Sequence, residues 1–136
     1  VIVEEFIKGR ELECAVLGTD NPFASEVGEI LSCNDFYDYD AKYILGTSGL
    51  NIPANIPKEA SLEIRETAVK AFKALGCFGL SRVDFFLADN GKVYLNELNT
   101  MPGFTSISMY PKLMENLGIP YGELLDRLIK LAYERN

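Results

Sequence analysis

The segment LSRVDFFLADNGKVYLNELN, residues 80–99, carries the strongest structural signal in the chain. Two runs in which apolar and polar residues largely alternate, 80–87 and 92–98, flank the pair Asn90-Gly91. Asn-Gly between such runs is the strongest short-range signal for a β-hairpin. The sequence therefore predicts two antiparallel strands joined by a two-residue turn.

That turn fixes which residues face each other across the hairpin. Asp84 is predicted to face Glu97, and Arg82 to face Asn99. Because side chains alternate between the two faces of a strand, all four lie on the same face. The apolar residues of the first strand point the other way, toward the predicted core: Val83, Phe85 and Leu87.

Two carboxylates directly opposite each other destabilise a sheet unless something offsets their charge. A hard cation between Asp84 and Glu97 would do so, and Asn99 adds a neutral oxygen ligand of the kind that Mg²⁺ accepts. The alternative is that Arg82 alone neutralises both acids in a surface network. Spacing does not decide between the two.

The residues after the hairpin suggest an anion-binding corner. In the polar turn 99–103, Gly103 can direct a backbone N–H toward the same face. Thr105 or Ser106 is predicted to cap a following helix, whose N-terminus favours anions. For Ser108, ordinary helix capping is the alternative to a role in binding.

The remaining elements predict one α+β domain with a mainly antiparallel sheet. Strands are predicted at 1–7, 12–17 and 25–31, with turns at 8–10 and 20–22, and a long polar loop covers 34–56. Helices are predicted from about residue 59 to a cap at Gly76, at 106–116 and at 121–133. Their predicted apolar stripes are Ile64, Ala68, Ala71, Phe72 and Leu75 in the first helix, and Leu124, Leu125, Leu128, Ile129 and Ala132 in the last.

Composition excludes several classes of function. A net charge of −7 argues against nucleic-acid partners, and no apolar run approaches the ~20 residues of a membrane span. The chain has no histidine, so no mechanism within it uses a His base or a His-ligated zinc. Three scattered cysteines are typical of reduced thiols in a cytoplasmic protein. The sequence opens inside a predicted strand without Met, from which we expect a piece of a longer polypeptide.

Three segments resemble the D-alanine–D-alanine ligases, a family of ATP-grasp enzymes, in the family's order and spacing. They are VEEFIKGRE at 3–11, similar to the nucleotide-binding hinge strand; FYDYDAKY at 36–43, similar to the mobile active-site loop; and Arg82-x-Asp84 with NELNTMPGFT at 96–105, similar to the metal and oxyanion strands. The implied fold is the C-terminal lobe of an ATP-grasp enzyme, with residues 1–136 as one catalytic subdomain.

The resemblance implies a role for each matching residue in joining two D-alanines for peptidoglycan synthesis. Asp84, Glu97 and Asn99 would hold two Mg²⁺ (or Mn²⁺) ions against ATP. Arg82 and the Gly103 N–H would stabilise the tetrahedral intermediate. The carboxylate of the second D-alanine would bind Ser108 and the Met109 N–H.

The hinge and the loop carry the remaining implied roles. Main-chain groups from Glu5 through Phe6 to Ile7 would bind adenine with Glu4, and Glu11 would bind the ribose. Lys42 would reach the phosphates. Tyr43, as a catalytic and specificity residue, would favour D-alanine over D-lactate as the second substrate, while the loop 34–56 closes over the site.

The family's other domains are expected to be necessary partners, so we expect this chain alone to be inactive, and the resemblance allows a homodimer. Three alternatives remain open: another ATP-grasp carboxylate–amine ligase (including a D-alanine–D-lactate ligase), a non-catalytic nucleotide- or metal-binding module, and a structural domain with an acidic surface hairpin.

Overall fold

In the computed structural model, which describes residues 1–31, 49–105 and 107–135, a five-stranded sheet packs between helices. The strands are β1 (Gly9–Gly18), β2 (Phe23–Leu31), β3 (Gly49–Asn51), β4 (Gly79–Ala88) and β5 (Val93–Asn99). Their order is β3-β2-β1-β4-β5, and every neighbouring pair is antiparallel. The helices of the described residues are α1 (Lys58–Ala74), α2 (Met109–Asn116) and α3 (Tyr121–Tyr133). The predicted α+β class with an antiparallel sheet is confirmed.

The core lies on both faces of the sheet, with β1 at its centre. One cluster joins α1 to one face, and its members from β1 are Leu12, Cys14 and Val16. The other cluster joins α2 and α3 to the opposite face, and its members from β1 are Ala15 and Leu17. The predicted core residues of β4 belong to the α1 side: Val83, Phe85 and Leu87. Strand β1 therefore buries apolar side chains on both faces, because helices cover both sides of the sheet.

Helix α1 follows its predicted stripe except at Ala71, which is only partly buried, and at the end. Ile64, Ala68 and Phe72 are fully buried. Leu75 lies just beyond the last helical residue and is 68% exposed. Gly76 adopts a positive φ of 62°, the left-handed conformation that ends helices, so its predicted capping role is confirmed.

The predicted stripe of the last helix is wrong at three of its five positions. Leu124 is fully buried, and Leu128 and Leu131 pack against the same cluster. Leu125, Ile129 and Ala132 are exposed instead. The sequence offers two overlapping apolar stripes one residue apart, and packing against α2 and the sheet selects only one.

The hairpin turn between β4 and β5 is longer than predicted. The Ala88 N–H donates to the Lys92 carbonyl at 2.9 Å, and the Gly91 N–H donates to the Ala88 carbonyl at 2.8 Å. These bonds enclose a three-residue loop in which Gly91 adopts a φ of 83°. A type I turn followed by a left-handed glycine is the standard three-residue hairpin. The expected two-residue turn is therefore wrong.

The predicted pairing at the acids is nevertheless confirmed, because a bulge offsets the longer turn. Phe85 pairs with Leu95, whereas Asp84 pairs with Glu97. Asn96 is thus an extra residue on β5, and the register beyond it shifts by one. Such a bulge re-aims the side chains that follow it, which brings Glu97 opposite Asp84.

The predicted strand at 1–7 and the turn at 8–10 are both wrong. Residues 1–8 form no strand, and β1 begins at Gly9. Val1, Ile2, Val3 and Phe6 are each at least 86% exposed. A β-rich sequence forms a strand only where its backbone finds a partner, and among the described strands none pairs with this segment. No helix in the described part of the chain is long and apolar enough to cross a membrane.

Candidate active site

Four strands place a row of residues on the face that α2 and α3 partly cover. Glu13 on β1 pairs with Gly28 on β2 and with Asp84 on β4, and Asp84 pairs with Glu97 on β5. Across the sheet the row consists of Gly28, Glu13, Asp84 and Glu97, and we call it the carboxylate row after its three acids. Arg82 lies beside it, since it pairs with Asn99 on β5.

The guanidinium of Arg82 sits between two carboxylates. Its Nε donates to Asp84 Oδ1 at 2.8 Å, and its Nη2 donates to Asp84 Oδ2 at 2.7 Å. Its Nε also lies 3.1 Å from Glu13 Oε2. Bidentate arginine–carboxylate pairs of this kind are strong and directional. Only 21% of the Arg82 side chain is exposed, so this contact is not a loose surface pair.

Asn99 joins the second acid to the cluster. Its Nδ2 donates to Glu97 Oε1 at 3.0 Å and to Asp84 Oδ2 at 3.3 Å. The prediction that Arg82, Asp84, Glu97 and Asn99 lie together on one face of the hairpin is thus confirmed.

The electrostatics of the cluster favour added positive charge. Burial raises the pKa of the Asp84 carboxyl, the hydrogen bond from Arg82 opposes that rise, and the negative charge of Glu97 adds to it. The hydrogen bond to Asp84 raises the pKa of Arg82, with a further contribution from the charge of Glu13. Three carboxylates face one guanidinium, which leaves two unbalanced negative charges in the ionised cluster. A divalent cation would neutralise them.

The donor set fits a hard divalent cation. Asp84 and Glu97 offer carboxylate oxygens and Asn99 an amide oxygen, and Mg²⁺ in phosphate-handling sites takes one or two carboxylates with phosphate and water. Among the described residues no group of three or more His, Cys, Asp or Glu side chains is arranged to hold a metal. Glu13 is therefore not a third converging acid; its carboxylate is directed at Arg82.

Glu13 is the member of the cluster that the sequence analysis missed. Its neighbours Leu12 and Cys14 face the α1 core, so alternation places Glu13 on the opposite face. The side chain is 7% exposed, and a buried acid needs a partner. Only the pairing of β1 with β4 identifies that partner, and the sequence analysis did not pair these strands.

Helix α2 begins three residues later than predicted, and neither Thr105 nor Ser106 is its cap. The capping position is Ser108, and the helix starts at Met109. Pro111 explains the difference, because a proline lacks the N–H that residues after the first turn donate. A helix starting at Ser106 would place Pro111 in its interior.

Ser108 does not cap the helix with its side chain. Its Oγ instead accepts from the Thr105 N–H at 3.0 Å and lies 2.9 Å from Thr105 Oγ1. A Cβ added to Gly103 would lie 3.0 Å from Ser108 Oγ, so the predicted Gly103 and Ser108 are immediate neighbours. Ordinary capping, the alternative for Ser108, is thereby excluded in this conformation.

Met109 connects the start of α2 to the carboxylate row. Its Sδ would lie 2.9 Å from a Cβ added to Gly28, the row's first member. The missing side chain at Gly28 allows the helix to approach the sheet this closely. Tyr110 links the same turn of α2 to β1, since its buried hydroxyl donates a hydrogen bond to the Val16 carbonyl at 3.0 Å.

The remaining predicted residues lie elsewhere. Glu11 is exposed on β1 and pairs with Phe86 and Ile30. The predicted adenine contacts Glu4, Glu5, Phe6 and Ile7 belong to the segment without a strand, where all but the partly buried Ile7 are exposed. Lys42 and Tyr43 lie outside the described residues, as does Ser106.

Comparison with known proteins agrees with this architecture. A relative named D-alanine–D-alanine ligase from Acetivibrio thermocellus is 64% identical over 136 residues, which cover 99% of this chain and 36% of the relative. The solved VanG D-Ala:D-Ser ligase from Enterococcus faecalis has a TM-score of 0.80 at 48% identity over 94% of this chain and 37% of that one. The D-alanine–D-alanine ligase from Bacillus anthracis, solved in complex with ATP, has a TM-score of 0.76 at 27% identity over 96% of this chain and 39% of that one.

These relatives are much longer than the chain, which spans between a third and two fifths of their length. A family profile described as "D-ala D-ala ligase C-terminus" matches residues 1–130. Since that match covers nearly all 136 residues and contains the whole carboxylate row, the chain belongs to the family of D-alanine–D-alanine ligase C-terminal regions.

Proposed function

We propose that this chain is the C-terminal catalytic subdomain of a longer enzyme that joins two D-alanines with ATP to supply peptidoglycan synthesis. The observation that carries the proposal is the cluster of Arg82, Asp84, Glu97 and Asn99 on one face, in a chain of this family. Dependence on ATP and the free thiols of Cys14 and Cys77 are consistent with the cytoplasmic location predicted from the sequence.

Asp84, Glu97 and Asn99 are the proposed ligands of two Mg²⁺ ions. Such ions, when bound, offset phosphate charge and hold the γ-phosphoryl group in line for transfer. Asp84 is the residue that must change most to bind one, because both its oxygens accept from Arg82. For Asp84 to bind a metal ion, Arg82 must give up at least one of its two hydrogen bonds to Asp84.

The proposed reaction has two balanced steps. A carboxylate oxygen of the first D-alanine attacks the γ-phosphorus of ATP, ADP leaves, and an acyl phosphate forms. The amine of the second D-alanine then attacks the acyl carbon, the bond from that carbon to the phosphate oxygen breaks, and phosphate and a proton leave. Arg82 and the Gly103 N–H are proposed to stabilise the negative oxygen that develops in the second step.

The other contacts are proposed by position. Ser108 and the N–H of Met109 would bind the carboxylate of the second amino acid, which suits a helix N-terminus that no side chain caps. Residues 4–7 and Glu11 would bind the adenosine of ATP, and Lys42 its phosphates. These roles require parts of the protein beyond the described residues, and we therefore propose that the chain alone does not turn over.

D-Serine is a second candidate for the attacking amino acid, because the solved D-Ala:D-Ser ligase is 48% identical to this chain. We favour D-alanine on the identity of 64% to a D-alanine–D-alanine ligase. Tyr43 is proposed to disfavour D-lactate.

The acyl phosphate gives the sharpest test. The longer protein containing this chain is supplied with Mg-ATP and D-alanine carrying ¹⁸O in its carboxylate. We expect D-alanyl-D-alanine as the product and one ¹⁸O transferred to phosphate for each dipeptide, both measured by mass spectrometry. Glu97→Gln should abolish the transfer, whereas Glu63→Gln, on the exposed face of α1, should not. Dipeptide formed without ¹⁸O in phosphate would refute the acyl phosphate, and a larger yield with D-serine would reassign the second substrate.

A further inference from the structure

We propose that Glu13 is a positioning residue that keeps Arg82 in place when Asp84 binds a metal ion. This inference rests on the proposed function for the roles of Asp84 and Arg82. It concerns a residue that has no assigned part in that function. The guanidinium of Arg82 is shared by two acids, Asp84 and Glu13.

The geometry separates the two acids that contact Arg82. Asp84 faces Glu97 across the hairpin and shares the amide of Asn99 with it. Glu13 lies on the other side of Asp84, on β1. No group of three acids in the described residues converges on a metal position. Asp84 can therefore serve a cation on the Glu97 side, while Glu13 remains on the side of Arg82.

Metal binding and the observed Arg82 contacts compete. The bond from Nη2 to Asp84 Oδ2 is 2.7 Å, and the bond from Nε to Oδ1 is 2.8 Å. A cation that takes these lone pairs removes the bidentate partner of a side chain that is 79% covered. An unpaired charge in such a place is strongly unfavourable, so the guanidinium would be displaced unless another acid took over from Asp84. Glu13, with Oε2 already 3.1 Å from Nε, offers a replacement that needs little movement.

Burial restricts the space that the Glu13 side chain can occupy. The residue is 5% exposed and lies between its strand partners Gly28 and Asp84. Gly28 has no side chain, and Met109 of α2 occupies the space beside it and covers that end of the row. A carboxylate confined in this way fixes the direction of the guanidinium more tightly than solvent would.

The test uses Glu13→Gln in the longer protein, which removes the charge and keeps the shape. We expect kcat at saturating Mg²⁺, ATP and D-alanine to fall by about 10- to 100-fold, the usual effect of losing a residue that orients an active-site group. The KM values for ATP and D-alanine should change by less than about threefold, because the loss is in the transition state. Glu13→Asp, which keeps the charge, should recover part of the activity and guards against a folding defect in Glu13→Gln.

Glu26→Gln is the matched control. Glu26 also forms an ion pair with an arginine, at 2.8 Å from Arg65 Nη1, but outside the cluster. It should leave kcat unchanged. If Glu13→Gln leaves kcat within about twofold at saturating Mg²⁺, Glu13 does not position Arg82 and the proposal is overturned.

A second readout needs no turnover. The Nε–H signal of Arg82, assigned by its loss in Arg82→Lys, is followed by ¹H–¹⁵N NMR during addition of Mg²⁺ and ADP. We expect the signal to persist in the native protein and to broaden or exchange with water in Glu13→Gln. Equal behaviour in both proteins would overturn the proposal. A native protein without D-alanine-dependent turnover would refute the proposed function instead, and the NMR comparison would still decide the role of Glu13.

Discussion

Removing one oxygen atom from Tyr110 should loosen the start of α2 from the sheet. The Tyr110 side chain is fully buried, and its hydroxyl donates to the Val16 carbonyl at 3.0 Å. In Tyr110→Phe the carbonyl loses this donor in a place that water does not reach. Leaving a buried acceptor without its partner costs about 1–3 kcal/mol of unfolding free energy. We expect that loss.

Tyr121→Phe is the same chemical change without the burial. Its hydroxyl donates to the Phe104 carbonyl at 3.2 Å, but the residue is 46% exposed, so water can replace the bond. Both tyrosine rings contact Phe104, with centroids 5.8 Å away for Tyr110 and 5.4 Å away for Tyr121, and phenylalanine retains these contacts. We expect the control to change stability by no more than about 0.5 kcal/mol.

Urea unfolding followed by far-ultraviolet circular dichroism measures both variants. A midpoint that moves at constant slope reports stability alone. If Tyr110→Phe lowers the free energy of unfolding no more than Tyr121→Phe does, the buried hydroxyl does not stabilise the contact between α2 and the sheet. The position of Met109 over Gly28 would then have to depend on apolar packing alone.

Two other substitutions test the sheet. Hydrogen bonds from Arg10 lower the pKa of the Glu29 carboxyl, so their stabilisation is complete above the unfolded value of about 4.5 and is lost as the pH falls through the folded value. Glu29→Gln should therefore be less stable than the native protein at about pH 6, with a difference that shrinks toward about pH 3, and a difference independent of pH would contradict this. Gly91→Ala should cost about 1–2 kcal/mol through its positive φ alone, since no atom lies within 4 Å of the added methyl group. Gly122→Ala, with equal space but in a helix, should be neutral or stabilising by about 1 kcal/mol, and equal effects in urea unfolding would contradict the assignment to strain.

Local sequence signals correctly predicted the two strands of the hairpin and the pairing of its acids, but they predicted the wrong turn length. Asp84 faces Glu97 because an extra residue in the turn is offset by an extra residue, Asn96, in β5. A two-residue turn without a bulge and a three-residue turn with a bulge give the same pairing at Asp84. Side-chain packing distinguishes them, and a single sequence does not reveal that packing. Alternation still placed Arg82 and Asp84 on one face, since the period of a strand holds up to the bulge.

Long-range pairing was the main source of error. Nothing in residues 9–18 indicates that β1 lies beside β4, and Glu13 was missed for that reason. The start of α2 was predictable in principle, because Pro111 excludes an earlier start, but the capping residues Thr105 and Ser106 were given more weight. In α3 the two apolar stripes are nearly equivalent in sequence, and only packing distinguishes Leu128 from Ile129.

We propose that the cluster around Asp84 and Glu97 serves an ATP-dependent ligation of D-alanine. ADP release by the longer protein with Mg-ATP, measured with and without D-alanine, tests it most directly. We expect release that D-alanine stimulates and that Glu97→Gln abolishes. Release that is indifferent to D-alanine, or that survives Glu97→Gln unchanged, would contradict it.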